Sequence, residues 1–257
     1  MTTLLLVRHG LTEMTGQVLV GWTPGVHLSE QGRAQAEAVA ARLAPLRLDA
    51  VVSSPLERCQ ETAAAVLAGR DGLTLETDDR FGECGYGEWT GRPLKELAED
   101  PMWRVVQYHP SAAVFPGGES LAGVQRRAVA AVRHWNAKLG DKAVYAVCSH
   151  GDVIKAIVAD ALGSHLDQFQ RVTADPASLT VIRYTALRPF VLRVNDVGGG
   201  VENLLPPPPE PEDSERPDGE KTHPRATPLS AAEPGPRKVG LCRSSTTIRQ
   251  RGSWPVP

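Results

Sequence analysis

The chain has 257 residues, 41% of them hydrophobic and 23% charged, with a formal net charge of -2. That length allows one or two domains with a substantial core, and that balance excludes a basic nucleic-acid coat and a strongly acidic solvating protein. Twelve of the 21 prolines fall in residues 206–257, where the large apolar side chains are only Leu229, Val239, Leu241, Ile248, Trp254 and Val256. Such a stretch buries too little surface to offset chain entropy, so a folded domain is expected at 1–205, followed by a disordered proline-rich tail at 206–257.

Along the first 205 residues, short apolar runs alternate with helical patterns. Residues 3–7 read as a strand buried on both faces. Ser29 caps a helix running to about residue 44, ended by Pro45, and residues 49–53 form a second strand. Ser54 reads as the cap, and Pro55 as the first position, of a helix reaching Gly69. Residues 73–77 are a weaker strand. Ser120 caps a long amphipathic helix with Leu121, Val124, Ala128, Val132 and Leu139 inward, stopped by Gly140. A strand at 143–148 leads into a helix at 152–163. Two alternating strands, 179–184 and 190–194, close the domain as an antiparallel hairpin at the sheet edge. This order implies an α/β fold: a three-layer α/β/α sandwich around a mostly parallel sheet with an antiparallel edge.

Cys59, Cys84, Cys148 and Cys242 lie 25, 64 and 94 residues apart, which gives no Cys-x-x-Cys pair and points to reduced thiols. The apolar run at 4–7 is interrupted by Arg8, and no stretch approaches the ~20 apolar residues of a membrane span. A cytoplasmic protein is expected.

In an open parallel sheet the ligand crevice lies beyond the carboxyl ends of the strands. Two strands deliver a histidine and a glycine there, Val7-Arg8-His9-Gly10 and Cys148-Ser149-His150-Gly151. Glycine lets backbone approach a ligand and frees N–H groups toward an anion, and Arg8 adds a cation with bidentate geometry for phosphate. Ser53-Ser54-Pro55-Leu56-Glu57-Arg58 places Arg58 in the first turn of a helix at the same edge, where the dipole also favours an anion.

These motifs resemble the histidine phosphatase superfamily, which contains the bisphosphoglycerate-dependent phosphoglycerate mutases and related phosphatases. The resemblance rests on Arg8-His9-Gly10, Ser-Ser-Pro-x-x-Arg-x-x-x-Thr from Ser53 to Thr62, and Ser149-His150-Gly151. It extends to Gly21-Trp22, Leu28-Ser29-Glu30-x-Gly32, Glu83-x-x-Tyr86-Gly87-x-Trp89-x-Gly91, Pro116-Gly117-Gly118-Glu119-Ser120 and Asn195-Asp196. It spans residues 3–205 and none of the tail.

The resemblance implies that His9 is the nucleophile, forming a phosphohistidine, while Arg8, Arg58 and His150 clamp the transferring group. Glu83 matches the proton donor, which later activates water. Thr12, Thr15, Gly10, Gly21, Trp22 and Gly151 are the expected substrate-binding positions. No metal and no cofactor is expected, because side chains supply the cations. The expected partner is a small phosphorylated metabolite, without nucleic acid or membrane, and a homodimer stays open.

Departures from the family pattern bear on substrate. Thr15 stands where an asparagine is frequent. Pro93-Leu94 stands where the mutase branch carries an Asn-Lys pair for a phosphoglycerate carboxylate. The insertion between Glu83 and Gly117 is short for a mutase cap, so a small helical cap is expected. The missing pair and the short insertion favour a phosphatase, with a phosphomutase as the alternative and a non-catalytic phosphate-binding protein behind both. Trp103, Tyr108, His109 and Phe115 are candidates for the substrate-facing wall. Arg126 and Arg127 are left between a second anionic group and solvent. Local charge has to do the attracting, since residues 1–205 carry 23 acidic and 20 basic side chains.

Overall fold

The computed structural model describes residues 1–199; the proline-rich segment 206–257, with Cys242, lies outside them. Six strands form one sheet: β1 (Thr2–Arg8), β2 (Ala50–Ser53), β3 (Leu75–Thr77), β4 (Val144–Ser149), β5 (Leu179–Tyr184) and β6 (Pro189–Asp196). Their order is β3-β2-β4-β1-β5-β6. The first four in that order are mutually parallel, and β5 and β6 add an antiparallel hairpin.

Side-chain alternation explains the layers. Leu4 and Leu6 of β1, with Val52 and Tyr145, pack under α5 (Leu121–Leu139) and α6 (Gly151–Ala161). Leu5 and Val7, with Val51 and Ala146, face the other way onto α1 (Glu30–Leu43) and α2 (Glu57–Leu67). Both faces are covered, so β1, β2 and β4 read as continuous apolar runs. The result is the three-layer α/β/α sandwich expected.

Two of the expected caps form. Ser29 Oγ accepts from Gly32 N at 3.0 Å and Ser120 Oγ from Gly123 N at 3.0 Å. Gly140 ends α5 at φ +74°, a conformation that favours glycine. The third cap differs. α2 begins at Glu57 and Leu56 is its N-cap, without a side-chain bond. Ser54 accepts only weakly from Leu56 N, at 3.3 Å, because its hydroxyl is drawn 2.8 Å from His150 Nε2.

The insertion contains α3 (Leu94–Leu97) and α4 (Pro101–Tyr108). Asp100 caps α4 by accepting from Met102 N at 2.9 Å, and Pro101 opens it. Among the described residues no helix is long and apolar enough to cross a membrane.

Candidate active site

Register alone brings the two histidines together. β1 and β4 are parallel with Arg8 opposite Ser149, so the next residues, His9 and His150, emerge side by side. His9 N donates to Ser149 O at 3.0 Å, and the rings meet edge to face with centroids 5.2 Å apart. β2 runs beside β4 with Ser53 opposite Cys148, which places the turn into α2, and hence Arg58, at the same edge. Glu83 arrives from outside the sheet, on the segment after β3. Arg8, His9, Arg58 and Glu83 line one cavity of about 450 Å³. His150 is fully buried against it, with Nδ1 3.8 Å from Glu83 Oε2 and 3.4 Å from Arg58 Nη2.

His9 Nδ1 lies 2.8 Å from the carbonyl oxygen of Gly10. A carbonyl can only accept, so Nδ1 carries the proton and Nε2 keeps its lone pair. Burial, then Arg8 and Arg58, push the His9 pKa down to about 3, so the ring is neutral across ordinary pH. His150 is pushed well below the usual range by burial and by His9, Arg58 and Arg8. Glu83 moves oppositely. Burial and the Asp152 charge raise its pKa to about 7, against a bond from Cys84 N at 2.9 Å. Burial disfavours the charge on Asp152 too. Lys155 Nζ at 3.2 Å and the Tyr86 hydroxyl at 3.0 Å outweigh it and hold that carboxyl below its usual range.

Arg8 Nη1 donates to Ala174 O at 2.6 Å and Arg58 Nη2 to Gly21 O at 2.8 Å. These bonds fix both guanidinium groups. Arg8 Nε and Arg58 Nη1 are then buried with no hydrogen-bond partner among the described residues. Two desolvated cationic donors at one cavity are costly unless they serve an anion. The N-terminus of α6 at Gly151, which also lines the cavity, adds a dipole of the same sign.

Thr12, Thr15 and Gly21 line this cavity as well. The two threonine hydroxyls sit 2.9 Å apart, and Thr15 Oγ1 accepts from Thr12 N at 3.0 Å. Gly10 and Trp22 are placed differently from expectation. Gly10 N is engaged by Thr62 Oγ1 at 3.2 Å, and a Cβ on Gly10 would sit 2.4 Å from Gly32 O, so this glycine serves close backbone packing. Trp22 lies behind the Glu83 segment and donates from Nε1 to Glu83 O at 2.5 Å. Trp103 and Phe115 line the cavity, whereas Tyr108 and His109 are exposed. Arg126 is exposed, and Arg127 is half-buried outside the cavity, against the Glu83 segment.

Several site residues were not anticipated. Ser54, Asp152, Lys155, Gln107 and Gln170 all touch the cavity or its histidines. Asp152 and Lys155 had a readable signal, an i, i+3 charge pair in the first turn of a helix that starts at the site. Lys155 Nζ also donates to Gln170 Oε1 at 2.5 Å and lies 4.4 Å over the Phe169 ring. Among the described residues no three His, Cys, Asp or Glu side chains converge as a metal site would.

The model of the histidine phosphatase superfamily (branch 1) matches residues 4–197. The chain belongs to that superfamily. Phosphoserine phosphatase 1 of Hydrogenobacter thermophilus is 33% identical over 206 residues, covering 76% of this chain and 92% of the relative. A probable phosphoglycerate mutase of Yersinia pestis is 31% identical over 182 residues, covering 70% and 83%. The solved structure of Bacillus stearothermophilus YhfR superposes with a TM-score of 0.72 at 29% identity, covering 77% of this chain and 98% of that one. Some mycobacterial relatives are longer, and the alignment spans 51% of their length. The superfamily thus brings phosphatase and mutase relatives to the same fold, and the cavity chemistry has to separate them.

Proposed function

We propose that this histidine phosphatase superfamily member hydrolyses a small phosphomonoester through a phosphohistidine, with side chains in place of metal ions. The observation that carries the reading is the pair of buried, unpartnered donors, Arg8 Nε and Arg58 Nη1, beside a His9 ring whose Nε2 lone pair is free. In the first step His9 Nε2 attacks phosphorus. The N–P bond forms as the bond to the ester oxygen breaks, and Glu83 gives its proton to that oxygen. Arg8, Arg58, His150 and the start of α6 hold the phosphoryl oxygens as charge redistributes. In the second step the Glu83 carboxylate takes a proton from water, whose oxygen attacks phosphorus. The N–P electron pair returns to His9, phosphate leaves, and Glu83 is protonated again.

Hydrolysis is favoured over phosphoryl shuffling by the residues that line the cavity. The basic residues lining it are Arg8, Arg58 and Lys155, and Lys155 is committed to Asp152 and Gln170. Val18, Leu19, Trp103, Val106 and Phe115 give the same cavity an apolar lining. With Arg8 and Arg58 taken up by the phosphoryl group, a phosphoglycerate carboxylate would meet no further unpaired Lys or Arg among the lining residues.

The test is a panel of phosphorylated metabolites assayed in chelator, with and without bisphosphoglycerate, using His9→Ala as the blank. Hydrolysis that disappears in the blank is expected. Isomerisation of 3-phosphoglycerate exceeding hydrolysis would establish the mutase. Phosphate binding without turnover would establish a binding protein.

A further inference from the structure

We propose that Arg127, locked to Glu119, is a positioning residue that holds the Glu83 carboxyl in register for proton transfer. The inference deepens the reading above and rests on Glu83 acting as the acid and base.

Glu83 has no sheet or helix to fix it. It sits between the short 3-10 turns Asp79–Phe81 and Gly87–Trp89, in a segment that makes few regular backbone bonds. One side chain from α5 makes the most hydrogen bonds to it. Arg127 Nη1 donates to Arg80 O and Gly82 O, each at 2.8 Å, and Nη2 donates to Glu83 O at 2.8 Å. The remaining two donors, on Nε and Nη2, form a paired contact with Glu119, both at 2.8 Å. All five N–H groups of the guanidinium are thereby used, three of them on the carbonyls of Arg80, Gly82 and Glu83, at and just before the proposed acid.

Glu119 completes the frame by accepting from Gly85 N at 2.8 Å, so the pair grips the segment on both sides of Glu83. Trp22 closes it from a third direction, since its Nε1 reaches the same Glu83 carbonyl. Its ring lies so close over Gly82 that a Cβ there would be 2.3 Å from Cζ2. Neither Arg127, Glu119 nor Trp22 lines the cavity that holds His9. Lysine at 127 would keep the charge, but a single ammonium cannot serve three carbonyls and a carboxylate in one plane. A shift of about 1 Å at the acid is enough to cost roughly 10²-fold in rate.

The effect should reach only the steps in which Glu83 moves a proton. The experiment compares full-length wild type, Arg127→Lys, Glu119→Gln, Glu83→Gln and the Arg127→Lys/Glu83→Gln double variant. Single-turnover phosphorylation is followed with nitrophenyl phosphate, whose leaving group needs little protonation, and with an alkyl phosphate, whose leaving group needs it fully. Thermal melting establishes that each variant is folded. Arg127→Lys is expected to slow phosphorylation by the alkyl ester roughly 10²-fold and by the nitrophenyl ester less than about 3-fold. KM should hold steady, and the phosphohistidine should live longer because water activation is impaired. Glu119→Gln should reproduce this pattern more weakly. The double variant should lose no more than Glu83→Gln alone, because both changes remove one function. Equal losses on both esters, or a double variant whose losses multiply, would overturn the proposal and leave Arg127 as a general stabiliser. Absence of phosphohistidine in the wild type would instead strike the underlying reading of the site.

Discussion

Replacing Glu83 with glutamine keeps the side chain's shape and removes its titrating proton. The carboxyl stands at about 7 instead of its ordinary 4.5 because it is buried, 13% exposed, and faces the Asp152 charge. Near neutral pH it therefore keeps its proton far more than an unperturbed carboxyl, which would be protonated in only roughly one molecule in 300 at pH 7. Removing a positioned acid lowers rates by about 10²–10⁴-fold, so kcat on an alkyl phosphate should fall by that factor. The pH profile gives a sharper signature. In the wild type kcat/KM should decline as pH rises through about 7, when Glu83 loses its proton. The acid limb should follow the ester's own second ionisation near pH ~6, because His9 stays neutral down to about 3. In Glu83→Gln the alkaline limb should vanish.

Stability carries the same information with a definite sign. A carboxyl whose folded pKa is raised contributes stability that is present below about 4.5 and lost as pH rises through about 7. The difference between the two pKa values corresponds to about 3 kcal/mol, so wild type should lose about that much relative to Glu83→Gln between pH ~4 and pH ~8. Denaturant unfolding at a series of pH values reads it. A flat stability difference, together with an alkaline limb that survives in the variant, would refute the assignment of Glu83.

Other changes probe separate parts of the site. Arg58→Ala should raise KM and lower kcat, together by about 10²–10³-fold, and should weaken inhibition by inorganic phosphate, read by competition kinetics. Gly10→Ala, whose Cβ would meet Gly32 O at 2.4 Å, should destabilise the fold by about 1–3 kcal/mol or more in denaturant melts. Truncation after residue 205 should leave activity and melting temperature unchanged; loss of soluble protein on that truncation would place the domain boundary elsewhere.

The sequence revealed best what a single element determines. His9 and His150 were legible because each directly follows a buried apolar run, and the parallel register of β1 and β4 then had to bring them together. Arg58 was legible because a strand end, a proline and a helical pattern locate the start of α2 within a residue or two. Ser54 was misread as a cap because capping is a local rule and the competing partner, His150, is 96 residues away. Glu83 carried no local signal of its own, and only the family resemblance picked it out, since its segment is shaped by contacts from α5 and from Trp22. Arg127 stayed undecided for the same reason: its partners are main-chain carbonyls, whose direction no sequence pattern encodes. A small helical cap was expected in the insertion, but α3 and α4 were not located within it, because four and eight residues are too short for periodicity to separate them from loop.

The central claim is a covalent bond between His9 and phosphorus. The most direct measurement is rapid acid-free quench of the enzyme with radiolabelled phosphomonoester, followed by mapping of the labelled peptide. The account predicts a base-stable, acid-labile phosphate on His9 that forms and decays at rates matching turnover and is absent from His9→Ala. Hydrolysis that proceeds with no label on His9, or a label that persists in His9→Ala, would contradict it.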